Sequence, residues 1–216
     1  MSQEAIIKLF FQLLDYSKVT VRIFFLTAIF SLPIGMILTI GRMSRFGIFS
    51  YPVRLFLLIM RGTPLLLQLV AVYFIPPKVF GHYVDRNLAA VIAMSLNYAA
   101  YFAEIYRSGF ESMPKGQYEA AEVLGFTKTQ RFFRIILPQV IKRIVPPMGS
   151  EFMTLVKDTA LVSCIGITEL YVRAQEAMTS ESSVIPIIIA GCFYLAMNGI
   201  VAQAVHTLEK RLSYYK

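Results

Sequence analysis

What this chain has little of excludes most soluble and catalytic readings. Only 16% of its 216 residues are charged, against about a quarter in a soluble domain. Too few charges are present to coat a water-soluble fold that is 56% hydrophobic, and mean hydropathy is +0.61. The two cysteines, Cys164 and Cys192, sit far apart in apolar runs and suit neither a disulfide framework nor a metal cluster. The two histidines, His82 and His206, stand alone, so the clustered acid–base groups or metal ligands of a membrane-bound enzyme are missing. No glycine-rich loop followed by Lys and Ser or Thr is present to cradle a phosphate. Internal repeats are absent too, and with no coupling-ion site in view this weighs against an ion-driven transporter.

What is there is apolar length. A membrane-crossing helix needs about 20 mostly apolar residues, and five stretches qualify as candidates: residues 19–40, 53–75, 88–110, 144–167 and 184–208. The fourth carries Pro146, Pro147, Glu151, Lys157 and Asp158, and hydropathy alone ranks it low. Pro33, Pro64 and Pro186 are candidate kinks or helix starts. Residues 1–18 lack the charged start, apolar core and small-residue cleavage site of a signal peptide. They read instead as an amphipathic helix lying at the membrane interface. The expectation is an all-α membrane protein, one domain over 1–216, with about five crossings.

Lysine and arginine set the orientation, because short cytoplasmic loops carry their excess. The stretches after spans one and three and the tail after span five hold thirteen of the twenty-one basic residues, from Arg42 and Arg45 to Lys210, Arg211 and Lys216. The N-terminus is therefore expected outside and the C-terminus in the cytoplasm. Topology and anionic lipid then explain the net charge of +8, and no nucleic acid is needed as a partner.

The cytoplasmic loop over 111–143 is too long for a simple connector. It reads as two short helices. The first, over 116–124, ends at Gly125, where a left-handed C-terminal cap falls. The second opens at Thr127 with Gln130 three residues on, a capping-box pattern, and is expected to stop at Pro138. Small Ala120 and Ala121 permit close approach to a partner surface. A solvated loop resting on lipid headgroups is the plainer alternative.

Glu119-Ala120-Ala121, then Gly125, then Ile135, Leu137 and Pro138 resemble the EAA loop of ABC-importer permeases. Arg61-Gly62-Thr63-Pro64, the run from Ala103 to Gly109, and Lys157-Asp158-Thr159-Ala160-Leu161 extend the likeness over most of the chain, which is similar to the polar amino-acid branch, the arginine, histidine and glutamine permeases. The resemblance implies a multi-pass protein of the bacterial inner membrane that makes and breaks no covalent bond. It implies coupling to a cytoplasmic ATPase dimer through Glu119, Ala120, Ala121 and Gly125, with ATP and Mg on that partner and no cofactor or metal on this chain. It further implies a second permease subunit, self or a similar chain, an extracytoplasmic amino-acid-binding protein, and import by alternating access.

Ionisable residues at bilayer depth are costly and usually face a bundle interior or a cavity. Asn97, Tyr101, Glu104 and Ser108 share one helical face, as do Glu151, Thr154 and Asp158, while Tyr194 and Asn198 lie one turn apart and Arg61 and Gln68 two. Asn97, Tyr101, Glu104, Glu151, Asp158 and Asn198 are the candidate substrate residues. Two roles stand open to several of them. Glu104 is either a ligand or structural, pairing with Arg61 or capping a helix junction, Asp158 either a ligand or a helix-break cap, and Glu151 either the partner of a substrate ammonium or guanidinium or a member of a buried ion pair or helix cap. A helix broken after Pro146-Pro147 is expected to free backbone groups beside Glu151. Arg107 reads as an interfacial anchor. The acidic surplus of Glu104, Glu151 and Asp158 over Arg61 and Lys157 leans toward a cationic substrate such as arginine.

Overall fold

In hydrocarbon a chain must satisfy its own backbone polar groups, which favours helices, and this chain is helical almost throughout. The structure, a computed structural model, describes residues 3–212; Lys216, counted above with the basic tail, lies outside them. The helices are α1 (Gln3–Arg42), α2 (Gly47–Gly62), α3 (Leu65–Phe80), α4 (Arg86–Glu111), α5 (Lys115–Val123), α6 (Lys128–Arg131), α7 (Leu137–Asp158), α8 (Leu170–Glu181) and α9 (Ile185–Leu212). A π turn, Phe132–Ile136, joins α6 to α7, and a 3-10 turn, Thr159–Ile165, continues α7. Among the described residues there is no strand.

The buried post of the bundle is α4, whose N-terminus is capped by the Asp85 carboxylate accepting from the Leu88 amide at 3.0 Å. Ala89, Ala93, Met94, Tyr98 and Phe102 on it are enclosed. Along it runs α1, and the two helices pack tightly at Gly35, where a Cβ would stand 3.0 Å from the Phe102 Cβ and 3.1 Å from the Ala99 carbonyl oxygen. Thr39 Oγ1 donates to the Ala103 carbonyl across the same seam at 3.0 Å. Small residues on both helices make that approach possible where water-driven packing is absent. The other side of α4 receives α3 near its start, α2 against Ala100 and Ala103, and α7 near its end. Antiparallel to α7 runs α9, and α8 lies on α9 and α1.

Three described helices are long and apolar enough to cross a membrane, α1, α4 and α9, and α2 with α3 make a fourth if the bent pair is one span. The expected fourth stretch, α7 with its 3-10 turn, fails that measure because Glu151, Lys157 and Asp158 lie along it.

Four boundaries differ from expectation. The stretch 53–75 is no single helix: α2 and α3 meet at 110°, because Pro64 offers no N–H to the last turn of α2 and keeps Thr63 extended at φ −118°, ψ 148°. Arg61 and Gln68 therefore lie on separate helices rather than on one stripe. No boundary separates residues 3–18 from the first span either, since α1 is continuous. Its early turns bury Leu9 and Leu13 against Leu170, Ala174 and Ala190, so α8 and α9 give this segment a protein surface to follow. Pro138 does not stop the second short helix. The π turn widens the helix just before it, with the Leu137 amide reaching back to the Phe132 carbonyl, and the chain passes on into α7. Nor does α7 break at Pro146-Pro147; it runs on to Asp158, so Glu151 stands on an intact helix.

Candidate functional site

At the end of the bundle that carries α5 and α6, the helices α2, α4 and α7 line an open cavity of 340 Å³, near the lower bound of small-ligand sites, about 300 Å³. Tyr101, Glu104 and Ser108 reach it from one face of α4, Arg61 from the last turn of α2, and Arg143 and Glu151 from α7.

Glu104 is the electrostatic centre. It accepts from Arg107 at 2.6 and 2.9 Å and lies 3.5 Å from Arg42 and 3.8 Å from Arg61. Its charge is thus taken up by three guanidiniums, and Arg107, which also pairs with Glu111, is a member of this network rather than a lipid anchor alone. Arg61 is the least committed of the three. It lies over the Tyr101 ring, 5.4 Å from the centroid, with its side chain 43% exposed. Glu151 enters none of the ion pairs among the described residues. The lining carries Arg61, Arg107 and Arg143 against Glu104 and Glu151, so the expected acidic surplus is reversed: Arg107 turns from the interface into the network, and Arg143 comes from the stretch before the fourth span.

Of the other candidates, Asn97 is only 4% exposed and its amide is engaged, donating at 3.0 Å to both the Met60 carbonyl and Gln68 Oε1. Asp158 accepts from the Tyr98 hydroxyl at 2.7 Å, beside the point where α7 tightens into the 3-10 turn. Asn198, on α9, lies outside the cavity lining, and its Oδ1 is buried without a hydrogen-bond partner. The cavity thus brings together Tyr101, Glu104 and Glu151 and leaves Asn97, Asp158 and Asn198 out.

Glu169, which the sequence does not single out, is fully buried. It caps α8 by accepting from the Tyr171 and Val172 amides at 2.8 and 3.0 Å, from the Tyr194 hydroxyl at 2.8 Å and from Thr20 at 3.4 Å. Its position just ahead of a short helical pattern was the available signal. No group of three His, Cys, Asp or Glu among the described residues could hold a metal ion.

The α5–α6 hairpin follows local rules. Gly125 sits at φ 77°, and the Phe126 amide returns to the Ala121 carbonyl at 3.0 Å, which closes α5 as a left-handed cap does. Thr127 and Gln130 make both bonds of the capping box. Arg131 fastens the two arms through the Tyr118 carbonyl and Glu122. Glu119, Ala120 and Gly125 face outward, whereas Ala121 is buried against its own chain. Val123 and Leu124, 87% and 73% exposed, complete an apolar tip that the sequence reading passed over.

A family model described as "binding-protein-dependent transport system inner membrane component" matches residues 31–214. The arginine transport system permease protein of Bacillus subtilis (strain 168) is 36% identical over 201 residues, 93% of this chain and 92% of that protein. The L-cystine transport system permease protein of the same organism is 35% identical over 198 residues, 91% of this chain and 84% of that protein. A chain of a crystal structure described as an amino acid ABC transporter with histidines superposes with a TM-score of 0.82 at 30% identity, covering 94% of this chain and 98% of that one.

Proposed function

The chain belongs to the family of binding-protein-dependent transport system inner membrane components, and from that premise we propose that it is the translocating subunit of an importer for polar amino acids, a basic one such as arginine foremost. As an amino-acid ABC importer permease it provides the multi-pass membrane path. ATP, with Mg, is hydrolysed on a cytoplasmic ATPase dimer that is a separate partner. An extracytoplasmic amino-acid-binding protein delivers the substrate, and a second permease subunit, this chain again or a similar one, completes the pathway. The N-terminus lies outside and the C-terminus in the cytoplasm, which puts the α5–α6 hairpin on the ATPase side.

The observation that carries the substrate reading is Glu151: of the two carboxylates lining the cavity, it alone makes no direct ion pair with an arginine. A basic amino acid places its cationic end there by a charge-assisted hydrogen bond and its α-carboxylate on Arg61, the guanidinium of the Glu104 network with the most exposure. Glu104 holds the arginines, and Tyr101 supports Arg61 from below. On the ATPase side Glu119, Ala120 and the tip at Val123 and Leu124 dock in a groove of the ATPase, and Gly125 keeps the hairpin tight enough to act as a rigid lever. Closure of the ATPases draws the hairpins of the two permeases together and opens the cavity outward; hydrolysis reopens it inward.

The test is uptake of labelled arginine, histidine, glutamine and glutamate into proteoliposomes that hold the assembled complex. Expected are ATP-dependent uptake favouring arginine and a Glu151→Gln variant whose arginine uptake falls about tenfold more than its ATP hydrolysis, the size of one lost charged hydrogen bond. Uptake indifferent to ATP overturns the importer reading. A preference for glutamine, or equal loss of both activities in the variant, overturns the part given to Glu151.

A further inference from the structure

Arg61 occupies the last turn of a helix that ends in mid-bundle, and that turn has a defect. The Met60 carbonyl would normally accept from the amide of residue 64, which is Pro64 and has none. Two buried side-chain amides take its place. Asn97 Nδ2 donates to the Met60 carbonyl at 3.0 Å and Gln68 Nε2 to the same oxygen at 2.9 Å. The two amides are joined, Asn97 Nδ2 to Gln68 Oε1 at 3.0 Å, and Gln68 Nε2 also reaches the Thr63 hydroxyl at 2.9 Å and the Thr63 carbonyl at 3.2 Å. Helix α2, the break and helix α3 are thereby tied to one point on α4.

The residue after the gripped carbonyl is Arg61. One turn along α4 from Asn97 stands Tyr101, beneath the Arg61 guanidinium, and next on that face is Glu104, its ion-pair partner. The face that spacing singles out as a row of ligands is therefore a register: Asn97 takes the backbone before Arg61, Tyr101 its guanidinium plane and Glu104 its charge.

We propose that Asn97 and Gln68 are positioning residues that aim Arg61 into the cavity, so that recognition of the substrate's carboxylate depends on two amides that never touch the substrate. This rests on the reading of Arg61 as carboxylate partner, and the experiment separates the two. The permease–ATPase complex, purified in lipid nanodiscs, is titrated with arginine and with argininamide, which lacks the carboxylate charge. The readout is the ratio of the two affinities. Arg61→Ala is expected to cut the wild-type ratio about tenfold, as for a lost hydrogen bond between charged groups. Asn97→Ala is expected to cut it several-fold, and the double variant no further than Arg61→Ala, since both act on one interaction.

A ratio unmoved by Arg61→Ala sinks the carboxylate reading. A ratio moved by Arg61→Ala but unmoved by Asn97→Ala, including the case where both ligands weaken equally, sinks the positioning role and leaves a structural cap. Should Asn97→Ala yield no folded complex, Gln68→Ala decides by the same ratio: Asn97 still occupies the Met60 carbonyl and holds the helix end, but the ties to Thr63 and between the two amides are lost, so a several-fold cut is expected and an unmoved ratio sinks the positioning role. Asn97→Leu, similar in size but with no donor, is expected to behave as Asn97→Ala does.

Discussion

Asn97 and Tyr98 are neighbours on α4, and each holds the end of a different helix. The Asn97 amide lies 3.0 Å from the Met60 carbonyl at the end of α2, and the Tyr98 hydroxyl lies 2.7 Å from Asp158 at the end of α7. Successive residues on a helix point about 100° apart, so one short stretch of α4 serves both flanks of the bundle at the same depth.

Tyr98→Phe keeps the ring in the core and deletes only the hydroxyl that Asp158 accepts. The expected cost is about 1.5–3 kcal/mol, as for a hydrogen bond to a charged group, read as a fall of several degrees in the unfolding midpoint of the purified protein. An unchanged midpoint would show that Asp158 does not need this donor.

Glu104 and Glu151 face one cavity but differ in partners, and neutralising them is expected to differ in sign or size. Glu104→Gln leaves three arginines crowded without a counter-charge and costs about 2 kcal/mol, below the full buried-pair penalty because the network is partly exposed. Glu151→Gln removes an unpaired carboxylate and leaves the midpoint level or raises it. The reverse order of midpoints would mean that Glu151 carries an ion pair and Glu104 does not.

Glu169→Ala strips a buried acceptor from two amides and two hydroxyls, and an unsatisfied buried donor costs about 1–3 kcal/mol. It is expected to abolish or sharply lower the yield of folded protein, whereas Glu169→Gln, which keeps one oxygen in place, is milder. If the two variants unfold together, the oxygen is not what holds α8.

Gly116 within α5 and Gly125 just past its end answer oppositely to the same change. Gly125→Ala forces a side chain into φ 77° and costs about 1 kcal/mol, with faster amide hydrogen exchange at Leu124 to Phe126. Gly116 has no positive φ and open space around it, so Gly116→Ala gains about 0.5–1 kcal/mol of helix propensity. Equal exchange in both variants would contradict the cap.

The hairpin was legible because its signals are local: Thr127 and Gln130 three residues apart, and a glycine where a helix must reverse. α4 and α9 were legible because an apolar run of sufficient length declares a crossing wherever it lies. The cavity was legible only in part. Spacing placed Tyr101, Glu104 and Ser108 on one face, but nothing in spacing says which of them meets a ligand and which another helix, so Asn97 and Asp158 looked like site residues and are held by Met60 and Tyr98. Arg42, counted as a flanking charge, reaches Glu104 because α1 ends beside it, and Arg143, early in α7, reaches the cavity rim on the Ser112 hydroxyl.

The sequence by itself thus determined an all-helical membrane chain, its family and the α5–α6 hairpin, since length, period and caps act within a few residues of one another. Tertiary structure alone decided where the spans break usefully, which arginines reach Glu104, and that Glu151 stays unpaired. A carbonyl orphaned by a proline, or a carboxylate in a crowd of guanidiniums, takes its partner from another helix, and no local pattern records which helix that will be.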